Sequence, residues 1–209
     1  FYVDERVIVP RSYLGEMLAG PLSDDLFGAD GSLIQDSEGV TRVLDLCTGS
    51  GCLAILAAMR FPNATIDAVE LSADALAVAR RNVADHGMED RIRLLKGDLF
   101  APVAGERYDL IIANPPYVAR EMVEAFPPEY AAEPRMAHLG GEDGLDLARR
   151  IIDGAAAHLA PGGGLLCEIG EDRAILDQDY PDHAFLWLDS AESEGEVFWL
   201  AQGNGSRGT

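Results

Sequence analysis

Lysine is almost missing from this chain. Of its 16 basic residues only Lys96 is a lysine, they face 36 acidic ones, and the net charge is −20. A surface of that sign repels nucleic-acid phosphate and attracts a basic protein, although a merely solvated acidic surface accounts for the charge equally well. Long hydrophobic runs are lacking too. The longest, 53–59, falls far short of the roughly 20 residues that span a bilayer, so no membrane segment is expected. No charged-then-apolar leader opens the chain, which argues against secretion and for the cytoplasm. The three cysteines, Cys47, Cys52 and Cys167, are too few and too scattered for a disulfide framework. They read as small buried hydrophobes in a reducing compartment. The histidines (His86, His138, His158, His183) show no ligand spacing, so no metal site is expected.

What remains suits one α/β domain: 209 residues, 48% hydrophobic, with apolar runs of strand length alternating with helix-length periodic ones. The first residue is Phe1 rather than Met, which reads as a fragment lacking an N-terminal part. Residues 1–10 alternate enough for a hairpin or edge strand, and an amphipathic helix follows over 13–19. Residues 20–40, rich in Gly, Asp and Ser, read as a loop. Strands are predicted over 41–47, 64–71, 91–96, 108–113, 165–169, 184–188 and 196–201. Helices are predicted over 52–60, from Ser72 to a stop at His86-Gly87, and over 145–159 and 174–180. The long stretch 121–144 reads as a lid or substrate lip, because a connection of that length inside a domain usually serves function. The order implies a mainly parallel seven-stranded sheet with one antiparallel strand, helices on both faces and a Rossmann-like site at the C-terminal strand ends. Three sections are expected: 1–40, a linker remnant; 41–202, the catalytic domain; and 203–209, a frayed tail.

The candidate functional residues lie at or just past the C-terminal ends of predicted strands. Asp45-Leu-Cys47-Thr48-Gly49-Ser50-Gly51 makes a strand, a glycine-rich turn and a helix start, the geometry of a nucleotide site. Only Gly49 and Gly51 of the dinucleotide fingerprint are present, which counts against NAD or FAD. Asp45 either meets a cationic amino-acid end of the ligand or caps a turn. Glu70, ending the next strand about 20 residues past the turn, can accept from two ribose hydroxyls, with Leu71 beside it. Asp98 after the third strand can accept from an adenine amine, with Leu99 or Phe100 against the ring face. After the fourth strand stands Asn114-Pro115-Pro116-Tyr117. Two successive prolines cannot continue a ladder, so the backbone leaves the sheet extended at Asn114. A carboxamide, a free carbonyl on Pro115 and the flat face of Tyr117 can together hold a planar amide-like NH₂. Arg11, between Pro10 and a possible N-cap at Ser12, either reaches a ligand or forms a surface ion pair.

The order Leu44-Asp-Leu-Cys-Thr-Gly-Ser-Gly51, Glu70, Gly97-Asp98, Asn114-Pro-Pro-Tyr117 resembles the class I methyltransferases that use S-adenosylmethionine and release S-adenosylhomocysteine. More narrowly it resembles the HemK-type protein-glutamine methyltransferases. Residues 1–12 and 133–145 are similar to the PrmB branch, which acts on a glutamine of large-subunit ribosomal protein three. The resemblance implies that residues 47–51 line the methionine part of the cofactor, that Glu70 takes the ribose and that Leu99 lies at the adenine. It implies further that residues 114–117 hold the substrate amide. The family carries an N-terminal helical domain that this chain does not contain, and the branch usually has a proline where Tyr13 stands. A release-factor glutamine and an adenine amine on a flipped base are alternative substrates of the same chemistry. A cofactor-binding module without activity is an alternative of another class. The acidic charge and the single lysine argue against direct DNA binding.

Overall fold

In the computed structural model, the structure describes residues 1–9, 11–119, 134, 140–190 and 194–203. Seven strands form one sheet: β1 (Arg42–Leu46), β2 (Thr65–Glu70), β3 (Ile92–Lys96), β4 (Tyr108–Ala113), β5 (Leu159–Glu168), β6 (Leu186–Asp189) and β7 (Glu194–Ala201). Their order is β3-β2-β1-β4-β5-β7-β6, with β7 antiparallel to both of its neighbours. The inner strands are apolar at nearly every position, as a sheet covered on both faces requires. Val43, Ile66, Leu110 and Ile112 face α1 (Tyr13–Ala19) and α3 (Cys52–Arg60), together with Val83 from α4 (Ala73–Asp85). Leu44, Leu46, Ile111 and Leu165 face α5 (Asp146–His158) and α6 (Arg173–Asp179) on the other side. Strands β1, β2 and β3 run outward one way and β4 falls on the other side of β1. The crossing point between β1 and β4 is therefore where a crevice opens at the C-terminal strand ends.

Several local signals are realised residue by residue. Ser12 caps α1 by accepting from the Leu14 N–H at 3.2 Å, and Ser72 caps α4 by accepting from the Ala75 N–H at 3.2 Å. The helices over 13–19 and 52–60 and the strand over 108–113 occupy the predicted spans.

Three expectations are corrected. Residues 1–9 hold no strand; a turn closes with the Val7 N–H donating to the Asp4 carbonyl. The segment lies along α4 because the buried Asn82 side chain satisfies Tyr2 in place of a partner strand. It accepts the Tyr2 N–H at 2.7 Å and donates to the Tyr2 carbonyl at 2.9 Å. The loop over 20–40 contains a one-turn helix, Ser23–Leu26, and an isolated bridge between Phe27 and Ile34, where burial of the Phe27 ring recruits the chain into the core. Strand β5 is predicted over 165–169 but begins at Leu159, directly after α5, and takes in Ala160-Pro-Gly-Gly-Gly164. Tyr108 pairs with Leu159 and Leu110 with Gly164, so the extra residues bulge out of the ladder where Pro161 has no N–H to give it. The expected lid over 121–144 lies mostly outside the described residues, as does the tail from 204.

Away from the crevice, Asp67 on β2 ties three strands. It is 6% exposed and accepts from the Tyr108 hydroxyl at 2.7 Å, from Arg93 at 2.7 and 2.8 Å, and from Arg42 at 3.2 Å. Burial opposes its ionisation, but the hydrogen bonds from Arg93 and Tyr108 and the two guanidinium charges outweigh burial and lower its pKa. Asp67→Ala leaves the fully buried Tyr108 hydroxyl without its acceptor and is expected to cost about 3 kcal/mol in urea unfolding at neutral pH.

Candidate active site

A cavity of about 410 Å³ fills the crevice. That is within the range of roughly 300–1,000 Å³ usual for small-molecule sites. Its floor is the loop after β1 (Cys47, Thr48, Gly49, Ser50) and the first turn of α3. Its sides are Glu70 and Leu71 after β2, Gly97, Asp98 and Leu99 after β3, and Asn114 and Pro116 after β4. The remaining wall comes from the N-terminal segment, with Arg6, Val7, Ile8, Arg11, Ser12 and Gly15. Residues from four strand ends and the N-terminal segment thus meet around one space.

The loop after β1 takes its shape from two glycines and one strained residue. Gly49 and Gly51 have φ of +54° and +78°, and Cys47, which has a side chain, has φ of +59°. A Cβ on Gly49 would meet no protein atom closer than 4.0 Å, so the space beside that residue is open to a ligand. A Cβ on Gly51 would sit 3.2 Å from the Ala79 side chain, because the loop is pressed against α4. Leu99, across the cavity, also has a positive φ, +46°. Two non-glycine residues in this region, both on the cavity wall, cost about 1–3 kcal/mol each, and such strain gathers at functional sites. No pattern in the sequence marks either of them.

Glu70 stands between loop and helix. One carboxylate oxygen accepts the Gly49 N–H at 3.0 Å and the other accepts the Ser72 N–H at 2.9 Å. Each oxygen keeps a second lone-pair direction, so two further donors can be received. Asp98 is half-exposed and paired with Arg150 of α5 at 2.7 Å. The Asn114 carboxamide has no hydrogen-bond partner among the described residues, although it is only partly exposed and borders the cavity. Arg11 is exposed at the cavity mouth.

Four expected site residues do not line this space. Gly51 lies behind the loop against α4. Asp45 is fully buried beneath the loop, where it accepts from the Thr48 hydroxyl, and its Oδ1 has no hydrogen-bond partner among the described residues. Pro115 is buried. Tyr117, expected as the aromatic wall beside Asn114, is instead turned toward the end of β5. Its hydroxyl needs an acceptor and donates to Glu168 Oε1 at 3.2 Å, and its ring lies within 3.0 Å of where a Gly170 Cβ would be. Sequence reading missed Glu168 and Asn82, both buried. Asn82 also donates to the Ser50 carbonyl at 2.8 Å, joining the N-terminal segment to the cavity loop. The one signal for it was a polar residue at an inward position of an alanine-rich helix.

The sheet order, the crevice at its crossing point and the glycine loop are those of the Rossmann-like fold of class I methyltransferases. The family model "Methyltransferase small domain" matches residues 32–126. A methyltransferase structure from Pyrococcus furiosus superposes over 94% of this chain and 87% of its own, with a TM-score of 0.61 at 20% identity, which shows the shared fold. The more particular likeness is in sequence. The chain is 60% identical over 96% of its length to the ribosomal protein uL3 glutamine methyltransferase of Bradyrhizobium diazoefficiens, covering 62% of that protein. It is 49% identical over 96% of its length to the corresponding protein of Burkholderia pseudomallei, covering 65% of it. The chain is thus similar over nearly its whole length to uL3 glutamine methyltransferases, and it spans a little under two thirds of the length of these relatives.

Burial pushes the Asp45 carboxyl up from 3.8 to about 7; the negative charge of Glu70 adds to the rise, and the Thr48 and Ala54 hydrogen bonds oppose it. A folded-state pKa above the unfolded one means that the folded protein holds the extra proton. That stabilisation is complete below about pH 4 and is lost as pH rises to about 7. The wild type is therefore expected to lose about 2–3 kcal/mol of unfolding free energy between pH 5 and 8 relative to Asp45→Asn, which cannot titrate there. Urea titrations of both proteins at several pH values check this, and parallel curves would refute it.

Proposed function

We propose that this chain is the catalytic part of an enzyme that methylates the side-chain amide nitrogen of a glutamine in ribosomal protein uL3, with S-adenosylmethionine as methyl donor. One observation carries the reading: the Asn114 carboxamide, without a hydrogen-bond partner among the described residues, borders the same cavity as a glycine loop and a carboxylate suited to ribose. The names of the homologous proteins point to the same substrate. The acidic net charge favours a basic protein partner over nucleic acid. Three free cysteines suit a reducing compartment such as the cytoplasm. Among the described residues no helix is long and apolar enough to cross a membrane.

The cavity fits the donor molecule. Glu70 has two lone-pair directions left for ribose hydroxyls, Asp98 and Leu99 border the space for a base, and the open side of Gly49 admits the amino-acid portion. When bound, that molecule supplies a methyl group activated by a sulfonium. The protein's task is then to hold the amide nitrogen in line with that carbon. An amide nitrogen is a weak nucleophile because its lone pair is delocalised into the carbonyl. Asn114 Oδ1 accepts an amide proton and so fixes the nitrogen's direction. Positive charge developing on the amide nitrogen during transfer would be stabilised by that acceptor until one proton leaves to water. Placement of the reacting atoms at roughly 3–3.5 Å lowers the barrier without a dedicated base. Pro116 forms the adjoining wall, Tyr117 anchors the loop through Glu168, and Arg11 at the mouth meets the incoming protein chain.

Asn114→Asp keeps an acceptor but loses a donor and adds charge. It is expected to slow methyl transfer about hundredfold or more while leaving S-adenosylhomocysteine affinity within about threefold. Single-turnover kinetics with uL3 and titration calorimetry measure the two quantities. Mass spectrometry of uL3 after reaction locates the added methyl; its absence from every glutamine, with wild-type protein and bound cofactor, would refute the proposal.

A further inference from the structure

Glu168 closes β5 at 1% exposure, and no cation is paired with it among the described residues. Two hydroxyls, one on the cavity wall and one at the end of the loop that follows β4, converge on its carboxylate. Ser12 Oγ donates to Oε2 at 2.6 Å and the Tyr117 hydroxyl donates to Oε1 at 3.2 Å. The backbone N–H groups of Tyr13 and Leu14 also face it. Burial raises the pKa of this carboxyl, and the hydrogen bonds from Ser12 and Tyr117 oppose that rise.

The two hydroxyl donors matter because of what they are attached to. Ser12 begins α1, and Arg11, Ser12 and Gly15 form one wall of the cavity. Tyr117 ends the loop whose Asn114 and Pro116 form another. The residues are 105 positions apart (117 − 12 = 105), and Glu168 itself does not border the cavity. We propose that Glu168 is a positioning residue that fixes the N-terminal wall and the Asn114–Tyr117 loop at one mutual distance, so that the cofactor side and the amide side of the cavity are set together. The inference rests on the methyl-transfer reading above. It adds that loosening either wall is felt at the other.

The test is a double-mutant cycle in the 209-residue chain with Ser12→Ala and Tyr117→Phe, each of which deletes a single oxygen, together with Glu168→Gln. Urea unfolding first establishes that each variant is folded. Two functional quantities are then read: the dissociation constant of S-adenosylhomocysteine by calorimetry and the single-turnover rate with uL3. Tyr117→Phe, outside the cavity wall, is expected to weaken S-adenosylhomocysteine about threefold, an effect that a purely local role would not produce. Ser12→Ala is expected to slow transfer about tenfold, as is Tyr117→Phe, and the double variant is expected to be little slower than either. Glu168→Gln, which keeps one acceptor oxygen, should fall with the single variants. Multiplicative effects, about hundredfold in the double variant, would show two independent hydroxyls and overturn the proposal, as would an unchanged dissociation constant in Tyr117→Phe. If the wild type methylates no glutamine, the proposed function fails but the cycle in S-adenosylhomocysteine affinity still decides the coupling: non-additive effects support it and additive ones overturn it.

Discussion

Neither Pro115 nor Pro116 has an N–H, and that lack decides where the sheet ends and the cavity begins. β4 pairs in parallel with β1 and β5 up to Ala113 and can pair no further. The next residue, Asn114, therefore emerges beside the loop after β1, at the point where strand order reverses. Gly49 and Gly51 supply the complementary departure on β1, through backbone angles that side chains resist. The two strands part, and the space between their ends is the crevice. The polar groups on its rim are arranged around that separation.

Buried polar side chains then hold the rim in place. Asn82 joins the N-terminal segment to the cavity loop, and Glu168 joins α1 to the Asn114–Tyr117 loop. Apolar packing could cover the same surfaces at similar cost, but it is indifferent to sliding by an ångström. Hydrogen bonds are not, because they weaken steeply with angle and distance. The strained backbone at Cys47 and Leu99 is consistent with this, since such conformations persist only where surrounding contacts over-determine them.

Much of this was legible in the sequence, for identifiable reasons. Strand β4 and helix α3 could be placed to the residue because apolar periodicity and sharp end signals coincide there. The wall residues Glu70, Asp98, Leu99 and Asn114 were picked out because each follows a strand in a parallel sheet. What could not be read depends on partners distant in the chain. Residues 1–9 alternate like a strand, but the Asn82 side chain, about 80 positions away, takes up the hydrogen bonds that a strand would have needed. Glu168 looks like an ordinary charge at a strand end until Ser12 is brought against it across 156 positions. The Tyr117 ring was assigned to the cavity because its flat face suits an amide, whereas its buried hydroxyl has the stronger claim. Asp45 is the same case: a carboxyl pushed up to about 7 by burial belongs to the loop's foundation.

The position of β7 has a consequence for how the chain is made. β7 follows β6 in the chain, yet it lies between β5 and β6, satisfying one edge of each. Until residues 194–201 have left the ribosome, β5 presents a full-length unpaired edge of Leu, Leu and Cys, and β6 has no neighbour at all. A nascent or prematurely terminated chain thus carries an adhesive flank that the finished protein conceals. β7 thus works like the tooth that closes a zip fastener, joining two flanks that would otherwise stay open.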